Sequence, residues 1–268
     1  MIKTPLSLLL TAGLALPAAA AKTPKPAKSP APVSISTSLP FALPLFPPTT
    51  AAITVPLAIE RFAQFDRQMR TLTAVFRQSV RSDDTGQTQA AEGTFAYRKD
   101  NLLRLEHRLP DPQTLVCDGS RVWVWRPANG QVIRSTLEDW KRSQPLAQGL
   151  LDFGNYAGLL KRYDVSVGTV SAAGPDGHRG FSLVLKPLSR PRQDKAGDFT
   201  LTLRLSTRDF FPFDSELRVG GVTAHSVFAD VRFNPELPET LFRFSPPPDA
   251  DVLDFPASPP LRESSPPR

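Results

Sequence analysis

From Gly93 to Trp125 apolar residues alternate with polar ones in short runs, the pattern of consecutive antiparallel strands. Phe95 and Tyr97 alternate with small or polar residues, and Lys99-Asp100-Asn101 turns the chain. Leu103 and Leu105 alternate with charges, and Pro110-Asp111-Pro112 breaks the run. Asp118-Gly119 then carries a two-residue hairpin signal ahead of the strand that holds Trp123. A meander of this kind collects large apolar side chains on one face, and that face must be covered by permanent core or by a removable ligand.

Upstream the period changes. Phe62, Phe65, Met69, Leu72 and Phe76 follow at spacings of three and four, which predicts an amphipathic helix of about five turns. It opens at Pro56 and hands over to a strand between Leu72 and Val75. Downstream, 131–135 reads as a short strand. Residues 137–153 are apolar at Trp140, Leu146, Leu150, Leu151 and Phe153 but interrupted by Pro145 and Gly149, and 155–163 reads as a short helix capped by Asn155. A helical segment broken in this way is either a core cap or a movable lid. The β pattern then resumes at Phe181, Leu183 and Leu185, at Phe199, Leu201, Leu203 and Leu205, and in two runs, 213–219 and 223–233, joined by Gly220-Gly221.

Composition trims the folded part. The chain has 268 residues and 29 prolines, and the prolines crowd into its two ends. Residues 1–21 read as a secretory signal peptide, with Lys3, an apolar core over 6–16 and small residues before the cleavage site. Residues 22–56 read as a Pro-rich linker, 57–250 as the folded domain and 251–268 as a disordered Pro-rich tail. The expectation is an exported protein, soluble and monomeric in a bacterial periplasm, with no cysteine after the cleavage region to carry a lipid anchor. The net charge of +6 is spread along the chain without a basic helix or a nucleic-acid-binding motif, so no nucleic-acid partner is expected.

Chemistry is sparse. Cys117 is the one cysteine and sits in an apolar strand, where it reads as a small buried hydrophobe. His107, His178 and His225 lack metal-ligand spacing, and no nucleophile elbow, zinc-protease helix or phosphate loop is present. No enzyme, metal or cofactor is expected, although a dispersed active site escapes a motif search. What the sequence offers is apolar area on a sheet with few helices to cover it. A curled sheet of that composition suits an acyl chain, which gains about 0.8 kcal/mol per buried methylene; spacing alone leaves a packed core equally open.

Taken together, Phe76-Arg77-Gln78, Glu92-Gly93-Thr94, Asn101-Leu102-Leu103-Arg104, Leu115-Val116-Cys117-Asp118-Gly119, Val122-Trp123, Asn234-Pro235 and Leu241-Phe242-Arg243-Phe244 resemble the LolA family over 57–254. That resemblance implies an α+β fold: a curled, incomplete antiparallel β-barrel of about ten or eleven strands, lidded by a few helices around a hydrophobic cavity. It implies acylated lipoproteins as cargo, loading by an inner-membrane ABC-type transporter and delivery to an outer-membrane receptor. The expected cavity residues are Phe95, Tyr97, Leu103, Leu105, Trp123, Leu183, Leu201 and Leu203. The expected lid contacts are Arg98 and Lys99 on the sheet with Leu146 and Leu150 on the lid. Lys99 stands where the family usually has arginine, and a lysine lacks the planar fork of donors, so lid closure is expected to be weaker or differently wired. Leu103 and Leu105 stand where aromatics are frequent, and the Pro-rich ends are atypical. A carrier of another lipid or glycolipid, or a periplasmic lipid or lipoprotein sensor, fits the same pattern.

Overall fold

A computed structural model describes residues 46–47, 49–143, 156–161, 163–175, 177–188 and 199–255. One helix, α1 (Val55–Gln68), precedes a twelve-stranded sheet. Its first half is β1 (Thr71–Ser82), β2 (Thr88–Arg98), β3 (Leu102–Leu109), β4 (Gln113–Asp118), β5 (Arg121–Arg126) and β6 (Gln131–Thr136). Among the described residues two short helices follow, α2 (Leu137–Ser143) and α3 (Tyr156–Leu160). The second half is β7 (Tyr163–Ala173), β8 (Arg179–Pro187), β9 (Phe199–Ser206), β10 (Pro212–Val219) and β11 (Val222–Phe233), with β12 (Asp251–Asp254) last.

In space the order is β12-β6-β5-β4-β3-β2-β1-β11-β10-β9-β8-β7, so two meanders meet where β1 pairs with β11. Every pairing is antiparallel except the one between β12 and β6. The end strands β12 and β7 do not pair with each other, and the sheet stays an open, unclosed barrel. Turn chemistry sets the register. Gly220 and Gly221 both take positive φ, 52° and 76°, between the paired Val219 and Val222, as a two-residue turn matched to strand twist requires. At the β4–β5 turn Asp118 Oδ1 accepts from the Ser120 and Arg121 amides, and burial of that carboxyl is outweighed by these bonds, which hold it below its ordinary pKa.

Three boundaries differ from the sequence reading. Helix α1 ends at Gln68, well short of the predicted handover. A spacing of four, as from Leu72 to Phe76, fits one helical turn and equally two strand repeats, and here Leu72, Ala74, Phe76 and Gln78 are the buried alternate positions of β1. Strand β7 begins at Tyr163, the last residue of the predicted helix 155–163, and Tyr163, Val165 and Val167 are its half-buried alternate residues. Ordered chain also continues past 250, because β12 covers the β6 edge and Asp254 accepts two bonds from Arg134, at 2.6 and 2.8 Å. That makes the sheet one or two strands wider than expected.

Candidate ligand-binding interior

Cross-strand rungs build the inner face. One runs Leu72, Tyr97, Leu103, Cys117, Val122 across β1 to β5. The next runs Ala74, Phe95, Leu105, Leu115, Val124, Ile133 across β1 to β6. On the other meander Leu183 pairs with Leu203 and Leu185 with Leu201. Side chains from both meanders join one buried apolar cluster, with Phe95 6.0 Å from Phe228 on β11 and Phe181 5.3 Å from Phe210 after β9. Gly93 on β2 leaves room for the Phe76 ring, which crosses the strand above it and meets His107 at 5.2 Å.

Of the predicted cavity residues, Phe95, Tyr97, Leu103, Leu105, Leu183 and Leu203 are buried in this cluster, and Leu201 packs half-buried at its margin. Trp123 is a correction. It pairs with Val116, one residue out of phase with the inward Val122 and Val124, and so faces the opposite side of the sheet. There Phe244 lies 5.8 Å from it and the Arg134 guanidinium 5.7 Å over its ring. Outward burial comes from the segment after β11, whose 3-10 turn at Glu239–Phe242 packs on β3 and β4.

Helix α1 covers the inner face with Ala58, Phe62 and Phe65. Phe65 meets Phe211 and Phe233 at 6.2 and 5.5 Å, and Phe62 meets Phe210 at 6.4 Å. Polar tethers hold both ends of the helix. At its C-terminus Asn234, in the left-handed region at φ 54°, accepts from the Arg70 and Thr71 amides and donates to the Gln68 carbonyl. Beside it Lys99 Nζ donates to the Arg67 carbonyl at 3.4 Å, a cation on the negative end of the helix dipole. Asp66 accepts from the Ala157 amide and ties α1 to α3. At the N-terminal end, the last stretch of the predicted linker is docked. Phe46 is buried, packs edge-on to Phe210 at 5.3 Å, lies 4.6 Å under the Arg61 guanidinium, and donates its amide to the Arg208 carbonyl. Arg179 donates to the Thr49 and Ala51 carbonyls, and Ile53 is buried behind them.

The two predicted basic contacts separate. Lys99 reaches α1, whereas Arg98 turns to the outer face, bonded to Glu239 at 3.2 Å and 5.9 Å over Phe242. Arg98 is the last residue of β2 and lies one position from the inward Tyr97, so it faces the other side, whereas Lys99 follows in the turn. Leu146 and Leu150 lie outside the described residues, as does the predicted cap Asn155. Helix α2 contributes the buried Trp140 and a Lys141 contact to Asn101 at 3.5 Å. Sequence reasoning missed Phe210 and Phe211, whose tight corner after β9 shows no periodicity, and Gln78, a polar residue on the inward phase of β1.

The described interior is predominantly apolar. Cys117 faces inward, and burial pushes its thiol up to about 11, which leaves it protonated at neutral pH. Among the described residues no three His, Cys, Asp or Glu side chains converge to hold a metal. No described helix is long and apolar enough to cross a membrane.

The profile of a family described as outer membrane lipoprotein carrier protein LolA matches residues 67–245. An outer-membrane lipoprotein carrier protein of Dechloromonas aromatica (strain RCB) is 30% identical over 203 residues, covering 73% of this chain and 87% of that protein. One of Neisseria meningitidis serogroup C is 27% identical over 196 residues, covering 73% and 86%. A solved LolA superfamily protein of Nitrosomonas europaea aligns with a TM-score of 0.40 at 15% identity, over 72% of this chain and 99% of that one.

Proposed function

This chain belongs to the LolA family of outer membrane lipoprotein carrier proteins, and from that premise we propose that it carries lipoproteins between membranes by sheltering their acyl chains inside the open barrel. The observation that supports this most is the single apolar cluster spanning both meanders of a sheet that does not close, covered by a helix on polar tethers. Phe95, Tyr97, Leu103, Leu105, Leu183, Leu201 and Leu203 are the proposed acyl-chain contacts. In this reading residues 1–21 direct export and are removed, and the mature protein works in the periplasm. It takes cargo from an inner-membrane ABC-type transporter and yields it to an outer-membrane receptor.

Lys99 is the proposed latch between sheet and α1. A single half-exposed contact of this kind contributes about 0–1 kcal/mol. Lys99→Leu is therefore expected to speed release of a bound fluorescent fatty-acyl probe by up to about fivefold while leaving the melting temperature nearly unchanged. A large loss of both would make Lys99 an ordinary structural residue. The carrier reading itself is tested by probe uptake into the purified mature protein, displaced by a lipidated lipoprotein. Displacement by free lipids or glycolipids but not by lipoprotein would shift the cargo to another lipid, and no uptake would end the reading.

A further inference from the structure

One rung of the inner face is unlike its neighbours. It runs Leu203, Ser215, Ser226, Gln78, Ala91 across β9, β10, β11, β1 and β2. The rung on one side carries Phe76 and Phe228, and that on the other Leu201, Leu217, Ala224 and Val80. Gln78 is 3% exposed and Ser226 5%. The Gln78 amide donates to Ser226 Oγ at 2.9 Å, and its carbonyl oxygen Oε1 is buried with no hydrogen-bond partner. An unmet buried acceptor costs about 1–3 kcal/mol, a cost that a leucine at the same position would avoid. Its direct cross-strand neighbours on that rung are small, Ala91 and Ser226.

We propose that Gln78, oriented by Ser226, is a polar contact point for the head end of the bound chain, taking a hydrogen bond from an amide N–H or a hydroxyl. The preferred ligand is then an acyl chain that carries such a donor close to its carbonyl, and a plain acyl ester is second best. This rests on the proposed carrier function and adds a direction to it. Gln78 lies one rung inside Val80, beyond which Arg81 and residues 83–90 are exposed. Leu72, under the C-terminal end of α1, lies six residues back along β1, about 20 Å at strand spacing. That distance accommodates a long acyl chain with its head at Gln78 and its tail beneath α1 against Tyr97 and Leu103.

The test is displacement of the fluorescent acyl probe by three competitors of equal chain length: methyl palmitate, N-methylpalmitamide and methyl 3-hydroxypalmitate. The first has no donor, the second an amide N–H, the third a hydroxyl. The native mature protein is expected to bind one or both donor-bearing chains about tenfold more tightly than the plain ester, one hydrogen bond's worth. Gln78→Met keeps the side-chain length without the amide, and should bring all three to within about twofold of the ester's unchanged affinity. A preference for the amide points to N-acylated protein as the source, and one for the hydroxyl to a hydroxyacyl lipid; either supports the inference. Equal affinity for all three in the native protein, or an equal loss for all three in Gln78→Met, overturns it while the carrier function stands. Failure of every competitor and of the probe overturns both. Ser226→Ala, which frees the amide to rotate, should blunt the preference and serves where Gln78→Met folds poorly.

Discussion

Replacing Gly93 with alanine is expected to cost about 3–4 kcal/mol, at the upper end of overpacking losses. A Cβ built there stands 2.0 Å from the Glu106 carbonyl oxygen and 2.7 Å from Cε1 and Cζ of Phe76. The ring can give way, but the carbonyl belongs to the neighbouring strand and moves only with it. Thermal unfolding should show a fall of roughly 10 °C for a domain of this size. Adding Phe76→Leu should recover only the part due to the ring. A melt within about 2 °C of the native protein would mean that β2 and β3 are not spaced as described.

Asn234→Ala should cost about 4 kcal/mol, from three lost hydrogen bonds near 1 kcal/mol each and about 1 kcal/mol for the strain of a left-handed alanine. Its side chain bonds the Arg70 and Thr71 amides at 2.7 and 3.3 Å and the Gln68 carbonyl at 3.2 Å, where α1 becomes β1. Asn234→Asp keeps the acceptor and should lose roughly a third as much. Asn234→Gly relieves the backbone and should fall between them. Hydrogen exchange at Arg70 and Thr71 should rise in the alanine and glycine variants alone. A loss in Asn234→Ala with none in Asn234→Gly would show that conformation, not the side-chain bonds, is what matters at this position.

The strand meander was legible because period-2 alternation and the Asp118-Gly119 and Gly220-Gly221 turns are local signals, and both turns sit where expected. The end of α1 was not, since its cap comes from Asn234, a residue 166 positions beyond the Gln68 carbonyl it bonds. Phase decided the site residues. Phe95 and Tyr97 on β2 and Leu103 and Leu105 on β3 share the inward phase, whereas Trp123 belongs to the other phase of β5. Arg98 illustrates the same rule, since it neighbours the inward Tyr97 on β2 and so faces outward. Phe46 lies in a stretch whose prolines read as linker, and its partners Phe210, Arg61 and Arg208 are all distant in sequence.

The proposed head-end contact gives the polar rung of so apolar a sheet a use. A packed core gains nothing from Gln78, whereas an interior that receives an acyl chain can use it to fix which way the chain lies. The tethers of α1 bear on the same point. Asn234 and the Phe46 strap anchor the helix firmly at its two ends, while Lys99 adds one weak contact beside the first of these.

The most direct test is to purify the mature protein from its native envelope without detergent and identify what comes with it by mass spectrometry. Acylated lipoproteins in stoichiometric amount are the predicted result. A protein that emerges with no acylated molecule, and takes none up when lipoproteins are offered, would contradict the account.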